Sequence, residues 1–207
     1  MLAQCYPHAG TSLVFKTPFE LLVSAILSAQ STDKQVNRVS ARLFEKHNSP
    51  QEFALLTSEE LGEEIKGVGL YRNKSRFIIE ASRDIVNKHS GIVPSTRAEL
   101  EALPGVGRKT AGVVIGVAFG GSALPVDTHV YRVARRLGLS AARDPVKVEA
   151  DLSACIPPEL RIPFHYRLIT HGREICKSRK PSCQKCCLRD YCSYPQLGKE
   201  NREHSTG

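Results

Sequence analysis

The chain has 207 residues, 41% hydrophobic and 24% charged, a composition that excludes a largely disordered chain. Its 29 Lys and Arg against 21 Asp and Glu give a net charge of +8, which suggests a polyanionic partner such as nucleic acid. Because the sequence shows neither a membrane-length apolar run nor a secretory signal at its start, MLAQCYPHAG, we expect a cytoplasmic protein without a membrane partner.

Helix-start signals and the spacing of apolar residues predict an all-helical chain. Glu or Gln follows three residues after each of four threonines, Thr17, Thr32, Thr57 and Thr96, as in capping boxes. Apolar residues then recur at helical spacing, and no segment alternates in the manner of a strand. The predicted helices cover residues 18–30, 33–46, 58–65, 71–88, 96–102, 107–119, 128–137, 145–155 and 159–175.

Two short turns between predicted helices resemble each other. Residues 65–69 read IKGVG and residues 103–107 read LPGVG, and a helix with a basic first turn follows each. The unit is too short for a solenoid, so the echo indicates only that Gly-x-Gly is a common connection between two helices.

The second turn, Gly105-Val106-Gly107, is a candidate phosphate-binding hairpin. Its glycines permit positive backbone dihedrals and close approach to a ligand, while Val106 can anchor the turn in the core. The following helix offers its amino-terminal amides and dipole to a DNA phosphate. An ordinary helical hairpin is the alternative, but the cations Arg108 and Lys109 oppose the helix dipole and so favour an anion or a chemical role.

Lys109 is the candidate nucleophile. Arg108 and Lys109 point about 100° apart on a helix, so both cannot face one phosphate. The apolar run 111–119 predicts a central helix with a recessed start, where partial burial and the helix dipole would activate the Lys109 amine. Asp127 is the candidate carboxylate, although an Asp at this position is more often a helix cap. His129 is expected to pack or to form hydrogen bonds.

Four cysteines near the carboxyl end form a candidate metal site. They are Cys176, Cys183, Cys186 and Cys192, separated by six, two and five residues. A single Cys-x-x-Cys pair with unequal loops favours a 4Fe-4S cluster over zinc, whose ribbons normally combine two such pairs.

The remaining cysteines and the loop between the first two candidate ligands carry separate expectations. Cys187 directly follows a ligand and is excluded from the set, while Cys5 and Cys155 are expected to be buried thiols.

The loop 177–182 is strongly basic and could lie on a DNA backbone, with a solvated loop as the alternative. The candidate DNA contacts there are Lys177, Arg179 and Lys180.

In combination these motifs resemble the endonuclease III family of DNA glycosylase/apurinic-site lyases. The likeness runs from about Thr17 to Tyr194 and rests on four segments: LSAQSTD at 27–33, LPGVGRKTA at 103–111, VDTH at 126–129, and the cysteine spacing. It implies an all-α, two-lobed helix-hairpin-helix fold with DNA in the cleft. Residues 12–121 would form a six-helix lobe, and residues 1–11 with 122–207 an iron-sulfur cluster lobe.

The resemblance also implies an activity and its residues. The expected enzyme is a bifunctional DNA N-glycosylase and apurinic/apyrimidinic lyase of base-excision repair, which removes oxidised pyrimidines and cleaves the strand by β-elimination. Lys109 would form the Schiff base and Asp127 would be the catalytic aspartate, while Gln30 and Leu70 would enter the duplex where the base leaves. The expected partner is double-stranded DNA with a damaged base or abasic site, bound by a monomer in the cytoplasm or nucleoid.

Two other functions are weighed against this one. An adenine-mismatch glycosylase of the same superfamily would generally lack the hairpin lysine, present here as Lys109, and would carry an extra carboxyl-terminal domain. A non-catalytic, redox-responsive DNA-binding module would use Lys109 only as a phosphate contact, and would bind duplex DNA without cutting it.

Overall fold

A computed structural model describes residues 1–194 of the chain, and within them the backbone forms α-helices, short 3-10 turns and loops without a β-strand. The α-helices are α1 (Leu2–Cys5), α2 (Pro18–Leu27), α3 (Asp33–Lys46), α4 (Pro50–Leu55), α5 (Ser58–Glu64), α6 (Tyr71–His89), α7 (Arg97–Glu101), α8 (Arg108–Ala118), α9 (Thr128–Leu137), α10 (Pro145–Cys155) and α11 (Arg161–Glu174). In this described part, no helix is both long and apolar enough to cross a membrane. The prediction of an all-helical chain is confirmed.

The chain divides into two compact units, of which one spans Ser12–Gly121 and contains α2 to α8. Helix α6 contacts α2, α4 and α5, and α8 contacts α2 and α7. Apolar faces of these helices form one core, whose largest fully buried side chains include Leu21, Leu22, Leu27, Leu43, Phe53, Leu61, Ile65, Ile78, Ile79, Ile85 and Leu100. The six helices predicted for this segment are present, and α4 is an addition.

Helix α4 and its neighbours begin at side-chain caps. At α4, the Ser49 hydroxyl accepts the N–H of Glu52 and the Glu52 carboxylate accepts the N–H of Ser49, with Pro50 at the first helical position. The same reciprocal bonds start α3 at Thr32 and α5 at Thr57. Six residues are too few to show a helical period, so α4 could have been predicted only from its cap signal, Ser49 with Glu52, which was overlooked among the threonine caps.

The other unit joins Met1–Thr11 to the segment that starts at Ser122. Helices α9 and α11 pack on each other, and α1 and α10 contact α11 and α9, respectively. Its core consists of Leu124, Val130, Val133, Ala134, Val148, Leu152, Leu168 and Ile169. The predicted helices 128–137 and 145–155 match α9 and α10 at both ends, whereas α11 begins at Arg161 because a 3-10 turn, Pro158–Leu160, precedes it. Residues 195–207, which the predicted cluster lobe included, lie outside the described residues.

Candidate functional site

The hairpin turn between α7 and α8 requires glycine at one position only. Gly105 has φ of 76°, and a Cβ added to it would lie 2.7 Å from the Cβ of Phe77. Val106 is buried and its N–H donates to the carbonyl oxygen of Leu103 at 3.1 Å, so this residue supports the turn from inside. A Cβ on Gly107 would meet nothing within 4 Å. The outer side of the turn is therefore open at Gly107.

Helix α8 presents its amino terminus next to this turn. Its first backbone hydrogen bond runs from the N–H of Ala111 to the oxygen of Gly107 at 2.9 Å, and earlier amides of a helix have no acceptor within it. Arg108 and Lys109 occupy the first two helical positions, and both side chains are exposed. The expected partial burial of Lys109 is wrong, because the buried part of α8 begins only at Ala111.

Asp127 caps the amino terminus of α9. Its Oδ1 accepts the N–H of His129 at 2.9 Å and the N–H of Val130 at 2.8 Å, and its side chain is 13% exposed. The buried Nδ1 of His129 lies 3.4 Å from Oδ2 without forming a hydrogen bond. The interpretation of Asp127 as a helix cap is confirmed. Capping occupies one carboxylate oxygen, which leaves Oδ2 outside the cap.

Gln30 and Leu70 share an unusual backbone conformation. Both residues are exposed, and their φ angles are 54° and 56°. These values lie in the left-handed region, which residues other than glycine seldom adopt. Each such residue costs about 1–3 kcal/mol, so the surroundings must hold it in place. Ser90 and Lys180 adopt this conformation too, but only the leucine has a side chain that cannot form a hydrogen bond to offset the cost. Such strain is often found at functional sites.

The four candidate ligands line one pocket, together with side chains from α9 and α11. Cys187 is not among the residues that line it, and burial, followed by the neighbouring Cys5, raises the pKa of its thiol to about 11. The expected burial of Cys5 and Cys155 is wrong, because each is the last residue of its helix and is exposed beyond the packed core. Among residues 1–194 no three His, Cys, Asp or Glu side chains are grouped as ligands of a single metal ion. Cubane ligands bind four different irons, so they need not converge on one point.

Hydrogen-bond donors that the sequence analysis missed surround these thiols. Arg136 of α9 donates from Nη1 to the Sγ of Cys176 at 3.5 Å, and the N–H of Leu188 donates to the Sγ of Cys186 at 3.4 Å. The Nε2 of His171, in α11, lies 3.6 Å from the same Cys186 sulfur. Burial raises the pKa of the Cys186 thiol, so donors like these are needed to stabilise its thiolate.

Tyr6 fixes the far side of the His171 ring. Its hydroxyl lies 2.9 Å from Nδ1 of His171, and burial, followed by the nearby acidic groups Cys187 and Glu174, raises the Tyr6 pKa to about 12. Burial also lowers the pKa of His171. With a thiolate at Cys186, the consistent arrangement is a Tyr6 hydroxyl that donates to Nδ1 and a neutral imidazole whose Nε2–H faces the sulfur.

The basic loop after Cys176 is held by its backbone. Arg136 donates to the carbonyl oxygens of Lys177 at 2.7 Å and Ser178 at 2.9 Å. The side chains of Lys177, Arg179 and Lys180 are all exposed. Arg136 thus fixes the backbone of the loop, while the basic side chains of the loop face the solvent.

Comparison with known proteins places the chain in a family. The HhH-GPD superfamily base excision DNA repair protein pattern matches residues 23–158. Endonuclease III of Haemophilus influenzae is 46% identical over 190 residues, which are 92% of this chain and 90% of that protein.

Two solved structures are similar along almost the whole chain. A non-covalent endonuclease III–DNA complex has a TM-score of 0.90 and 44% identity, and covers 96% of this chain and 94% of its own. A trapped endonuclease III–DNA covalent intermediate has a TM-score of 0.90 and 45% identity, with 96% and 93% covered. The chain therefore belongs to the endonuclease III family of DNA-repair glycosylases.

Proposed function

We propose that this chain is a bifunctional DNA glycosylase and apurinic/apyrimidinic lyase that removes oxidised pyrimidines and cleaves the strand through a Schiff base on Lys109. The observation that carries the proposal is the exposed Lys109 amine on the first turn of α8, directly after the hairpin turn. The likeness to a trapped covalent DNA intermediate supports a covalent step.

The reaction needs an amine, a proton acceptor and a leaving base. The Nζ of Lys109 would attack C1′ of the damaged nucleotide, and the base leaves with a proton as the C1′–N bond breaks. The sugar ring then opens at the C1′–O4′ bond, and O4′ takes the second amine proton, which gives an imine between Lys109 and C1′. Removal of a proton from C2′ then breaks the C3′–O bond and releases the 3′ phosphate, after which water frees the lysine. We assign the stabilisation of the sugar cation and the proton transfer to Asp127, whose Oδ2 lies outside the cap.

The DNA would be held mainly through its phosphates. The amides at the start of α8 and the positive end of its dipole form an anion site next to the open surface of Gly107, with Gly105 setting the turn and Arg108 adding charge. The outward cations of the basic loop, Lys177, Arg179 and Lys180, would lie on the backbone. We propose the two compact units as the two lobes of the enzyme. Such contacts carry little base information, so binding should depend weakly on flanking sequence.

Gln30 and Leu70 would enter the duplex as the damaged nucleotide leaves it. Extrusion of a base costs a few kcal/mol, and side chains that fill the vacated stack offset part of that cost. The exposed, left-handed Leu70 supports this role, because a strained apolar residue on the surface gains nothing for the free protein.

We propose a 4Fe-4S cluster as the cofactor, held by the four cysteines that line one pocket. The donor set fits, because hydrogen bonds from Arg136 and Leu188 would stabilise thiolates there. The four cysteines would hold the cluster, which would then cross-link residues 176–192 and restrain the basic loop. Anaerobically purified protein should absorb broadly in the visible range and contain about four irons per chain; one zinc and no colour would overturn this assignment.

Borohydride trapping tests the central claim. The native chain and Lys109→Ala are incubated with duplex DNA that contains an abasic site or thymine glycol, and the covalent adduct is measured. Lys147→Ala is the matched control, since Lys147 is also exposed but lies in α10. An adduct formed by the native chain and the control, and absent from Lys109→Ala, is expected on both substrates. If cluster-loaded protein binds DNA and yields no adduct, the non-catalytic alternative is favoured.

A further inference from the structure

Lys74 is a buried lysine that the proposed chemistry does not use. It lies in the first turn of α6 with only 4% of its surface exposed. Its Nζ donates to the carbonyl oxygen of Leu27 at 2.7 Å and to the hydroxyl of Ser31 at 3.0 Å. Lysine is almost never buried without a compensating role, since desolvation of the ammonium is costly. Burial accordingly lowers the Lys74 pKa.

The two acceptors lie at either end of the segment that includes Gln30. Leu27 is the last residue of α2, where helix carbonyls lack an intrahelical donor and the dipole favours a cation. Ser31 directly follows Gln30 in the chain. The ammonium of Lys74 therefore fixes the chain on both sides of the left-handed Gln30.

The same network reaches Leu70. The backbone N–H of Lys74 donates to the carbonyl oxygen of Leu70 at 3.1 Å, and the Ser31 hydroxyl also accepts the N–H of Gly69 at 3.1 Å. A Cβ on Gly69 would lie 3.2 Å from the carbonyl oxygen of Gln30, so the two loops abut there. One lysine and one serine thus connect the two strained residues.

We propose that Lys74, together with Ser31, is a positioning residue for base extrusion: it holds Gln30 and Leu70 in the left-handed conformations from which their side chains enter the duplex. This inference rests on the proposed function of those two residues. It explains a buried cation whose two recorded hydrogen bonds go to the segment around Gln30, and it assigns Lys74 no contact with the substrate.

The test compares Lys74→Met with Lys88→Met. Methionine keeps the apolar stem and removes the ammonium, and Lys88 is an exposed lysine on the same helix, paired with Asp84. Two readouts use duplex DNA with 2-aminopurine opposite an abasic site: the fluorescence gain on protein binding, which reports unstacking, and the rate of borohydride-trapped adduct. A third readout is the affinity for undamaged duplex, which phosphate contacts alone would set.

For Lys74→Met we expect loss of the fluorescence gain and unchanged affinity for undamaged duplex. Adduct formation should be 10- to 100-fold slower, which is roughly the effect of misplacing a binding group by 1 Å. Lys88→Met should match the native chain. Retention of both the fluorescence gain and the rate, or a parallel loss of undamaged-duplex affinity, would overturn the inference. Ser31→Ala, a change at a half-buried loop residue, should show the same pattern in weaker form and decides the matter if Lys74→Met does not fold.

Failure of the proposed function gives a different pattern. A native chain that unstacks 2-aminopurine but forms no adduct contradicts the Schiff-base chemistry, while the fluorescence still tests Lys74. A native chain that forms the adduct beside an unaffected Lys74→Met contradicts the positioning role alone. A native chain that shows neither signal overturns both.

Discussion

The two Gly-x-Gly turns look alike in sequence and differ in which residue carries the left-handed conformation. In the turn before α8, Gly105 has φ of 76°. In the turn before α6, a leucine has it: Leu70, immediately after the second glycine, has φ of 56° and is 54% exposed. The two turns lie in the same compact unit and each leads into a helix.

This difference separates positions that the fold needs from positions that function needs. Glycine adopts a left-handed conformation at no steric cost, so Gly105 is the cheapest solution to a tight connection. In leucine the same conformation is strained, and the apolar side chain of Leu70 is exposed to water, so a gain in stability does not explain why leucine stands there. Substitutions at structural positions should lower stability, and those at functional positions should lower activity with little loss of stability.

The largest stability change is expected for Gly105→Ala. The alanine would have to adopt the left-handed backbone conformation, and its Cβ would lie 2.7 Å from the Cβ of Phe77. We therefore expect strain and overpacking to lower the free energy of unfolding by about 3 kcal/mol. Urea denaturation measures it, with Gly107→Ala as the control, because no atom lies within 4 Å of a Cβ there. A Gly105→Ala protein as stable as the control would show that the turn does not require glycine.

Asp127 tests whether one residue can serve both purposes. Asp127→Ala removes the cap of α9 and should cost about 1 kcal/mol, whereas Asp127→Asn can still cap and should cost little. Both should slow adduct formation at least about 100-fold if the carboxylate takes part in the chemistry. Thermal unfolding and trapping rates together separate the roles, and full activity of Asp127→Asn would reduce Asp127 to a cap.

Leu70→Gly should change stability and activity in opposite directions. Relief of left-handed strain, less the extra flexibility of glycine in the unfolded chain, should raise the free energy of unfolding by about 0.5–1 kcal/mol. The variant should nevertheless lose unstacking of 2-aminopurine at an abasic site. Urea denaturation and fluorescence on one preparation test both halves. A destabilised variant would mean that Leu70 is held for the fold after all.

The smallest stability change is expected for Lys109→Ala. The side chain is exposed at a helix amino terminus, where a cation is unfavourable, so the free energy of unfolding should change by no more than about 0.5 kcal/mol. The same variant should form no covalent adduct. Denaturation of the trapping samples checks that the loss is chemical, and a markedly unstable variant would void that interpretation.

The sequence by itself determined the features that depend on near neighbours. Helix starts such as Thr32 and Thr57 follow from hydrogen bonds between residues three apart, and they are found where the spacing placed them. The limits of α9 and α10 were predicted in full, because a cap, an apolar period and a terminating residue are all local. The capping role of Asp127 followed in the same way.

Only the tertiary structure decided which side chains are buried and what they meet. Lys109 is exposed and Lys74 is buried, although each stands in the first turn of its helix. Arg136 and His171 contact the cysteines from α9 and α11, and the spacing of the cysteines gives no indication of either contact. Burial and donor geometry depend on residues tens of positions apart, and no short pattern encodes that distance.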